Sequence, residues 1–404
     1  MAKALLSLVD VHVRRGMNTV LEGSTLTVEA GQTVVLTGAN GAGKSTLLET
    51  AAGLLPMERG HVQHDDVVVA DADGRRRNSP LTMGVVLQRN GMLGSEVLAE
   101  HLHAAMSMSG HGVDVDPFLK SFKLMHRAND LVAHLSQGQA RKVAVLAGLL
   151  PAFASPKPAL IILDEPDAGL DDASIEILGQ WLNELRSMGH ALLVATHDER
   201  VMAQATHLYN VDQREFETAT EPPAEKVGAR TSHDLKPLSP SAFGVKIHLR
   251  TMMWLNTNAM AGLLTLGILL TLGDFMEELD NLQRMGFILA PTLAVGLCGD
   301  PLVAALREER AGVWWRAVSG GEPHAGWIPL AIGAVFTFLT TNGLQDAREI
   351  HIIITGAIMC FLVWHSVGWM QRSTQRLARP HAVFIGLLTP VLILPYSILI
   401  GLLA

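Results

Sequence analysis

Cysteine, tyrosine and charge are all scarce in this chain, which has two cysteines, two tyrosines and 17% Asp, Glu, Lys and Arg among 404 residues. Both cysteines, Cys298 and Cys360, fall within apolar runs. That placement indicates neither a disulfide framework nor a cysteine-based metal site. An excess of positive charge is also missing: the formal net charge is −8, so the composition gives no reason to invoke nucleic acid. The opening residues MAKALLSLVD run directly into a strand-like segment without an apolar stretch of signal-peptide length, which places the first half in the cytoplasm as an expectation. What the chain has in quantity is apolar residues, at 49%, and they are unevenly spread. Its length exceeds what a single core usually organises, so two domains are expected.

The first half carries short motifs in a fixed order. The run GANGAGKST, Gly38 to Thr46, follows the strand-like TVVLT, Thr33 to Thr37, and precedes the helical LLETAAGLL. Glycines in such a loop turn backbone N–H groups toward phosphates at a helix N-terminus, which makes Gly38, Asn40, Gly41, Gly43 and Thr46 candidate nucleotide contacts. Lys44 is placed to reach the β- and γ-phosphates and Ser45 to ligate Mg²⁺. Farther on, ALIILDEP, Ala159 to Pro166, reads as a buried parallel strand ending in two carboxylates. Asp164 is then a candidate for the Mg²⁺ shell and Glu165 for polarising the attacking water. Between these motifs lies LSQGQ, Leu135 to Gln139, with Ser136 set to cap the helical pattern QARKVAVLAGLL.

The order of these motifs resembles that of the ATP-binding cassette (ABC) ATPases, over about residues 3 to 212. The resemblance implies an α/β P-loop NTPase that uses ATP and Mg²⁺. It implies that Ser136, Gly138 and Gln139 belong to the signature that contacts the γ-phosphate held by an opposite subunit, and that Gln88 is a Q-loop ligand of Mg²⁺ and water. His197 takes the place of the switch histidine, and Asp171 in AGLD that of the D-loop. Two departures stand out. Family members commonly stack an aromatic ring on adenine, whereas VHVRRGMN, Val11 to Asn18, offers only His12 or the planar guanidinium groups of Arg14 and Arg15. The Pro-rich PAFASPKP, Pro151 to Pro158, reads as a lengthened surface loop.

From 213 to 241 the composition turns polar and Pro-rich and reads as an extended linker. Residues 242–404 then read as an all-α transmembrane helical bundle of about five helices, with membrane-length apolar runs near 251–273, 285–306, 326–345, 350–371 and 381–404. The positive-inside rule agrees: loops expected in the cytoplasm carry Arg307, Arg310 and Arg316, then Arg372, Arg376 and Arg379. The inner loop Arg307 to Trp327 holds Trp314 and Trp315. Two roles suit it equally, docking into the ATPase as a coupling helix or anchoring at the lipid interface. Asp300 and His365 are the intramembrane ionisable residues, which by cost alone should face a bundle interior.

These readings lead to a multi-pass protein of the cytoplasmic membrane, embedded in lipid, with its ATPase on the cytoplasmic side. It would work as a homodimer or paired with another ABC half-transporter and export a hydrophobic substrate. The first half resembles most the ATPase of the haem exporter of cytochrome c maturation, and the second half faintly resembles its membrane partner, which makes haem the specific candidate. The alternative is a mechanotransmitter, whose ATP cycle drives another membrane protein without moving substrate.

Overall fold

The computed structural model describes residues 3–219, 222–223, 231–271, 281–343 and 350–373. The chain forms two compact units, Met1–Pro240 with Leu306–Glu322, and Ser241–Ala305 with Pro323–Ala404.

The first unit is built on two sheets. β1 (Ala4–Arg15), β2 (Asn18–Glu29), β4 (Arg59–His64) and β5 (Val67–Asp71) make an antiparallel sheet in the order β2-β1-β4-β5. The second sheet has the order β11-β10-β3-β9-β8-β6, from β11 (Glu215–Thr218), β10 (His207–Asn210), β3 (Thr33–Thr37), β9 (Ala191–Ala195), β8 (Leu160–Asp164) and β6 (Met83–Val86). All of its pairings except β10 with β11 are parallel. The sequences LIILD of β8 and ALLVA of β9 are buried at every position, as expected of central parallel strands covered on both faces. Helices α1 (Lys44–Ala51), α2 (Leu98–Ser107), α3 (Asp116–Ser121), α4 (Gln137–Ala154), α5 (Asp172–Ser187) and α6 (Glu199–Met202) complete this part of the unit.

Two segments differ from the sequence reading. Residues Pro151 to Ala154 are the last turn of α4 and are buried, where a surface loop was expected. Their apolar side chains continue the core face of the helix, and the Phe153 ring lies 5.0 Å from that of Phe118. The linker is also more ordered than its composition implies. His233–Asp234 (β12) pairs antiparallel with His111–Gly112 (β7), and the N–H groups of Leu235 and Leu238 donate to the carbonyls of Gly110 and Ser107.

The second unit contains α7 (Pro240–Thr251), a π-helical turn at Leu255–Ala259, α8 (Met260–Thr271), α9 (Asn281–Leu297) and most of α10 (Leu302–Glu308). After α11 (Ala311–Ser319), which belongs to the first unit, come α12 (Ile328–Gly343) and α13 (Ile350–Ser373). A core of Val295, Ile328, Ile332, Phe336, Cys360 and Trp364 joins these helices. Among the described residues, Arg284–Glu308 and Ile350–Ser373 are long and apolar enough to cross a membrane, and α7 with α8 add a third if their 63° bend is counted within one span. Of the five runs expected to span, those near 251–273, 326–345 and 381–404 lie partly or wholly outside the described residues. The described part of the third run, Ile328–Gly343, is a helix of 16 residues, about 24 Å against a ~30 Å hydrocarbon core, and 344–349 and 381–404 lie outside the described residues.

Asp300, singled out from sequence, is buried within this unit. His248 Nε2 lies 3.0 Å from its Oδ1 and Arg372 Nη2 lies 3.2 Å from its Oδ2. The N–H groups of Leu302 and Ala325 also donate to it. His365 Nε2 is 2.9 Å from the carbonyl oxygen of Gly326. Asn258 Nδ2 donates to the carbonyls of Val295 and Gly299 at 3.0 and 2.9 Å, which satisfies acceptors freed where α9 ends.

Candidate functional site: a nucleotide-binding edge and its docking helix

In a parallel sheet the carboxyl ends of the strands share one edge, and ligands bind there. Because β3, β9, β8 and β6 are successive neighbours, that edge collects the loop Gly38–Gly43 after β3, His197 after β9, Glu165 after β8 and Gln88 after β6. Gln88 and His197 are exposed on it, as are Asn40 and Gly41. The loop needs its glycines. Gly38, Gly41 and Gly43 have φ of 130°, 87° and 101°, in the left-handed region that side chains with a Cβ avoid. A Cβ on Gly43 would also come within 2.9 Å of Val20 Cγ1.

Helix α1 starts at Lys44, whose Nζ donates to the loop carbonyls of Gly38 and Ala39 at 2.8 and 3.0 Å. The loop is tied from outside by Asp212, whose Oδ2 accepts from the Ala39 N–H at 2.8 Å. Ser45 donates to Asp164 Oδ1 at 3.1 Å, which brings together two of the three residues expected to hold Mg²⁺. Burial pushes the Asp164 carboxyl up to about 6, the Ser45 hydrogen bond opposing this and the charges of Glu165 and Glu49 adding to it. A buried carboxylate held next to a hydroxyl and a Gly-rich N–H cradle is a donor set that fits a divalent cation bound with phosphate. Glu165 has φ of 47°, a backbone position that is costly for a residue with a Cβ. Its N–H donates to Ala195 O on the neighbouring strand.

Arg141, which the sequence reading passed over, is the organiser of this edge. It is 5% exposed, and its guanidinium donates to the carbonyls of Leu87, Asp164 and Glu165 at 2.8, 2.7 and 2.5 Å. One planar group thus pins α4 to the segments that carry Gln88 and Glu165. The only sequence signal was a basic residue on an otherwise apolar helical face.

Ser136 caps α4 as expected. Its Oγ accepts from the Gln139 N–H at 3.2 Å while Gln139 Oε1 accepts from the Ser136 N–H at 3.0 Å, a reciprocal capping box. A Cβ on Gly138 would stand 3.0 Å from Gly169 O, so the signature glycine lies against the AGLD turn. Asp171 caps α5 through Ser174 N and pairs with Lys142 Nζ at 2.5 Å. The Lys142 bond holds the Asp171 carboxyl down at about 2. Among the described residues no hydrogen bond joins Ser136, Gly138 or Gln139 to Gly38–Thr46. On the side where adenine was expected, His12 pairs with Asp10 and Arg15 with Glu49.

The two tryptophans of the loop expected on the inner side are buried. Trp314 and Trp315 are 2% and 0% exposed within the first unit. Trp314 donates from Nε1 to Val85 O on β6 at 2.9 Å, and its ring lies 5.0 Å from His101 on α2. The turn before α11 is held as well: Arg89 donates to Glu308 O and the Gly91 N–H to Glu309 O, at 2.8 and 2.9 Å, while Arg310 pairs with Glu49. Of the two roles weighed for this loop, the contacts are those of docking into the ATPase, next to Gln88.

A family model described as ABC transporter matches residues 21–168. The cytochrome c biogenesis ATP-binding export protein CcmA of Gluconobacter oxydans (strain 621H) is 36% identical over 193 residues, covering 48% of this chain and 81% of that protein. The macrolide export ATP-binding/permease protein MacB of Escherichia coli O157:H7 is 32% identical over 276 residues, covering 64% of this chain. The match takes in 41% of that relative, so the chain spans about two fifths of its length. A solved ATP-binding subunit of an ABC transporter aligns with a TM-score of 0.45 at 27% identity, over 53% of this chain and 90% of that one.

Proposed function

The chain belongs to the ABC transporter family, whose cassettes hydrolyse ATP to power transport, and from that premise we propose that it is a fused subunit exporting a hydrophobic substrate across the cytoplasmic membrane. The observation that carries this reading is the docking of α11. The segment between two apolar helices is buried in the ATPase through Trp314 and the Glu308–Arg310 turn. A segment that the chain places between two apolar helices thus packs with the ATP-binding unit through its own side chains. The relative matched over the longer stretch is itself named as both ATP-binding and permease, which supports the fusion.

The residues divide the work as follows. Lys44 and the Gly38–Gly43 amides bind the phosphates, and Ser45 with Asp164 would hold Mg²⁺, helped by Gln88. Mg²⁺, when bound, offsets charge on the β- and γ-phosphate oxygens. Glu165 orders the attacking water and accepts its proton, and His197 stabilises the γ-phosphate charge. Ser136, Gly138 and Gln139, unconnected to this chain's own P-loop, would complete the site of a second copy or another half-transporter, with Asp171 at that junction. Closure of the dimer would then move α11 and the helices on either side of it. Haem is the specific substrate candidate on the motif resemblance to a haem exporter ATPase alone; the name of CcmA adds only export in cytochrome c biogenesis.

The test is ATPase activity of the full chain in lipid nanodiscs against haem, other lipophilic compounds and lipids, with Lys44→Ala and Glu165→Gln as controls. Stimulation by one compound, lost in both controls, is the expected result. Basal activity that responds only to an added partner membrane protein would replace export by a mechanical role.

A further inference from the structure

One carboxylate on the P-loop helix carries two guanidinium groups from different parts of the first unit. Glu49, on α1 little more than a turn beyond Lys44, is 4% exposed. Arg15 Nη2 lies 2.9 Å from its Oε2, and Arg310 Nη1 lies 2.6 Å from its Oε1. Arg15 ends β1, and Arg310 is the N-cap of α11. The cap is held in an unfavourable conformation, since Arg310 has φ of 57°. The hydrogen bond to Glu49 chiefly, then the charges of Glu49 and Asp164, hold the Arg310 guanidinium in its charged form. Glu49 in turn acts on the Asp164 carboxyl. The cap of the docking helix, the P-loop helix and the candidate Mg²⁺ ligand therefore form one electrostatic group.

We propose that Arg310 is a positioning residue for ATP hydrolysis, acting through Glu49 to set the stance of α1, and with it Ser45, relative to Asp164. The proposal rests on the ATPase reading above and adds a second line to it. Trp314 grips β6 and α2, whereas Arg310 addresses the P-loop helix directly. Arg15 is what makes a movable contact feasible. A buried carboxylate stripped of its only cation is strongly disfavoured, but Glu49 keeps Arg15 when Arg310 withdraws. Displacement of the α11 turn can thus alter the hold on α1 without leaving an unpaired buried charge. Binding at the P-loop, by the same linkage, alters the hold on the turn.

The full-length chain in nanodiscs tests this with Arg310→Ala, Arg310→Lys, Glu49→Gln and the double variant Arg310→Ala/Glu49→Gln, each followed by kcat and KM for Mg-ATP and by thermal unfolding. Arg310→Ala and Glu49→Gln are each expected to lower kcat by on the order of tenfold, the size usual for groups that orient a site from behind. The double variant should be no slower than the slower single one, because both remove the same linkage. Arg310→Lys should recover most of kcat. Wild-type kcat in folded Arg310→Ala, or effects that multiply in the double variant, would overturn the proposal. Should Glu49→Gln fail to fold, Arg310→Ala against Arg310→Lys decides alone: equal losses in both overturn it. Wild-type hydrolysis by Lys44→Ala is a separate outcome that would sink the ATPase reading itself.

Discussion

Ser45 donates its hydroxyl to Oδ1 of Asp164 at 3.1 Å, joining two residues 119 positions apart in the chain. The contact is possible because β3 and β8 flank β9 in one parallel sheet, so that whatever follows β3 faces whatever ends β8. It also sets a protonation equilibrium. Burial raises the Asp164 carboxyl from an ordinary 3.8 to about 6.

The sign of the pH dependence follows from that shift. A carboxyl whose folded value is raised binds more protons in the folded state between about 4 and 6, so the nucleotide-free protein loses stability as pH rises through this window. Replacing Asp164 by Asn keeps the acceptor for Ser45 and removes the buried charge. Asp164→Asn should therefore stabilise the nucleotide-free protein above pH 6, by ~3 kcal/mol at most, and abolish this part of the pH dependence. In the native chain, Mg-ATP binding should tighten as pH rises through about 6, because the cation requires the ionised form. Thermal unfolding of both proteins at pH 5 and pH 8, with and without Mg-ATP, checks both statements. A variant less stable than the parent at pH 8 would contradict the first.

Much of this edge was legible because its parts are local patterns. A P-loop must place three positive-φ glycines and a lysine within one turn, and GANGAGKST can be read without knowing what lies across from it. Arg141 was illegible for the opposite reason. The carbonyls it fills lie 54, 23 and 24 residues away, and no pattern in QARKVAVL announces them. Trp314 and Trp315 were recognisable as interfacial residues, but the sequence holds no record of Val85 as a partner. In the linker, Leu235 and Leu238 sit in a polar, Pro-rich setting that reads as coil, and their pairing became visible only once β7 was in place.

The docking of α11 can be tested without touching a nucleotide ligand. Gly91 has φ of 73°, and a Cβ there would stand 2.8 Å from Trp314 Cβ. Gly91→Ala thus combines a disfavoured backbone with a clash against α11. A loss of about 1–3 kcal/mol is expected from the two effects. Mg-ATP affinity should stay within a factor of about two, since Gly91 itself bonds to Glu309 and not to the phosphate cradle, while any stimulation by substrate is lost. Equal stimulation in parent and variant would argue that the Gly91–Trp314 approach plays no part in coupling.

The capping box predicts a smaller and more local effect. Ser136→Ala removes the acceptor for the Gln139 N–H at the start of the 18-residue α4, and the cost of losing such a cap is about 1 kcal/mol. Restoring an oxygen with Ser136→Asp should recover the stability. Denaturant unfolding of the three proteins reads this directly: an alanine variant as stable as the parent would mean that the cap contributes nothing.

Arg141 should be the least replaceable residue of the edge outside the phosphate cradle. The residue is 5% exposed, and its guanidinium fills three main-chain carbonyls on two different segments, one after β6 and one at the end of β8. An apolar side chain of similar length would leave those acceptors without a donor, at a cost of about 1–3 kcal/mol for each one that water cannot reach. Arg141→Met is therefore expected to lower stability by ~3 kcal/mol or more. Arg141→Lys should recover only part of this, because a single ammonium lacks the planar fork that spans Leu87 O and Asp164 O together. The kinetic consequence separates positioning from mere stability. At a temperature where both variants are fully folded, kcat should fall because Glu165 and Gln88 are no longer fixed relative to α4, whereas KM for ATP, set by the P-loop, should change little. A rise in KM with unchanged kcat would mean that Arg141 supports the binding of ATP and leaves the geometry of hydrolysis to other groups.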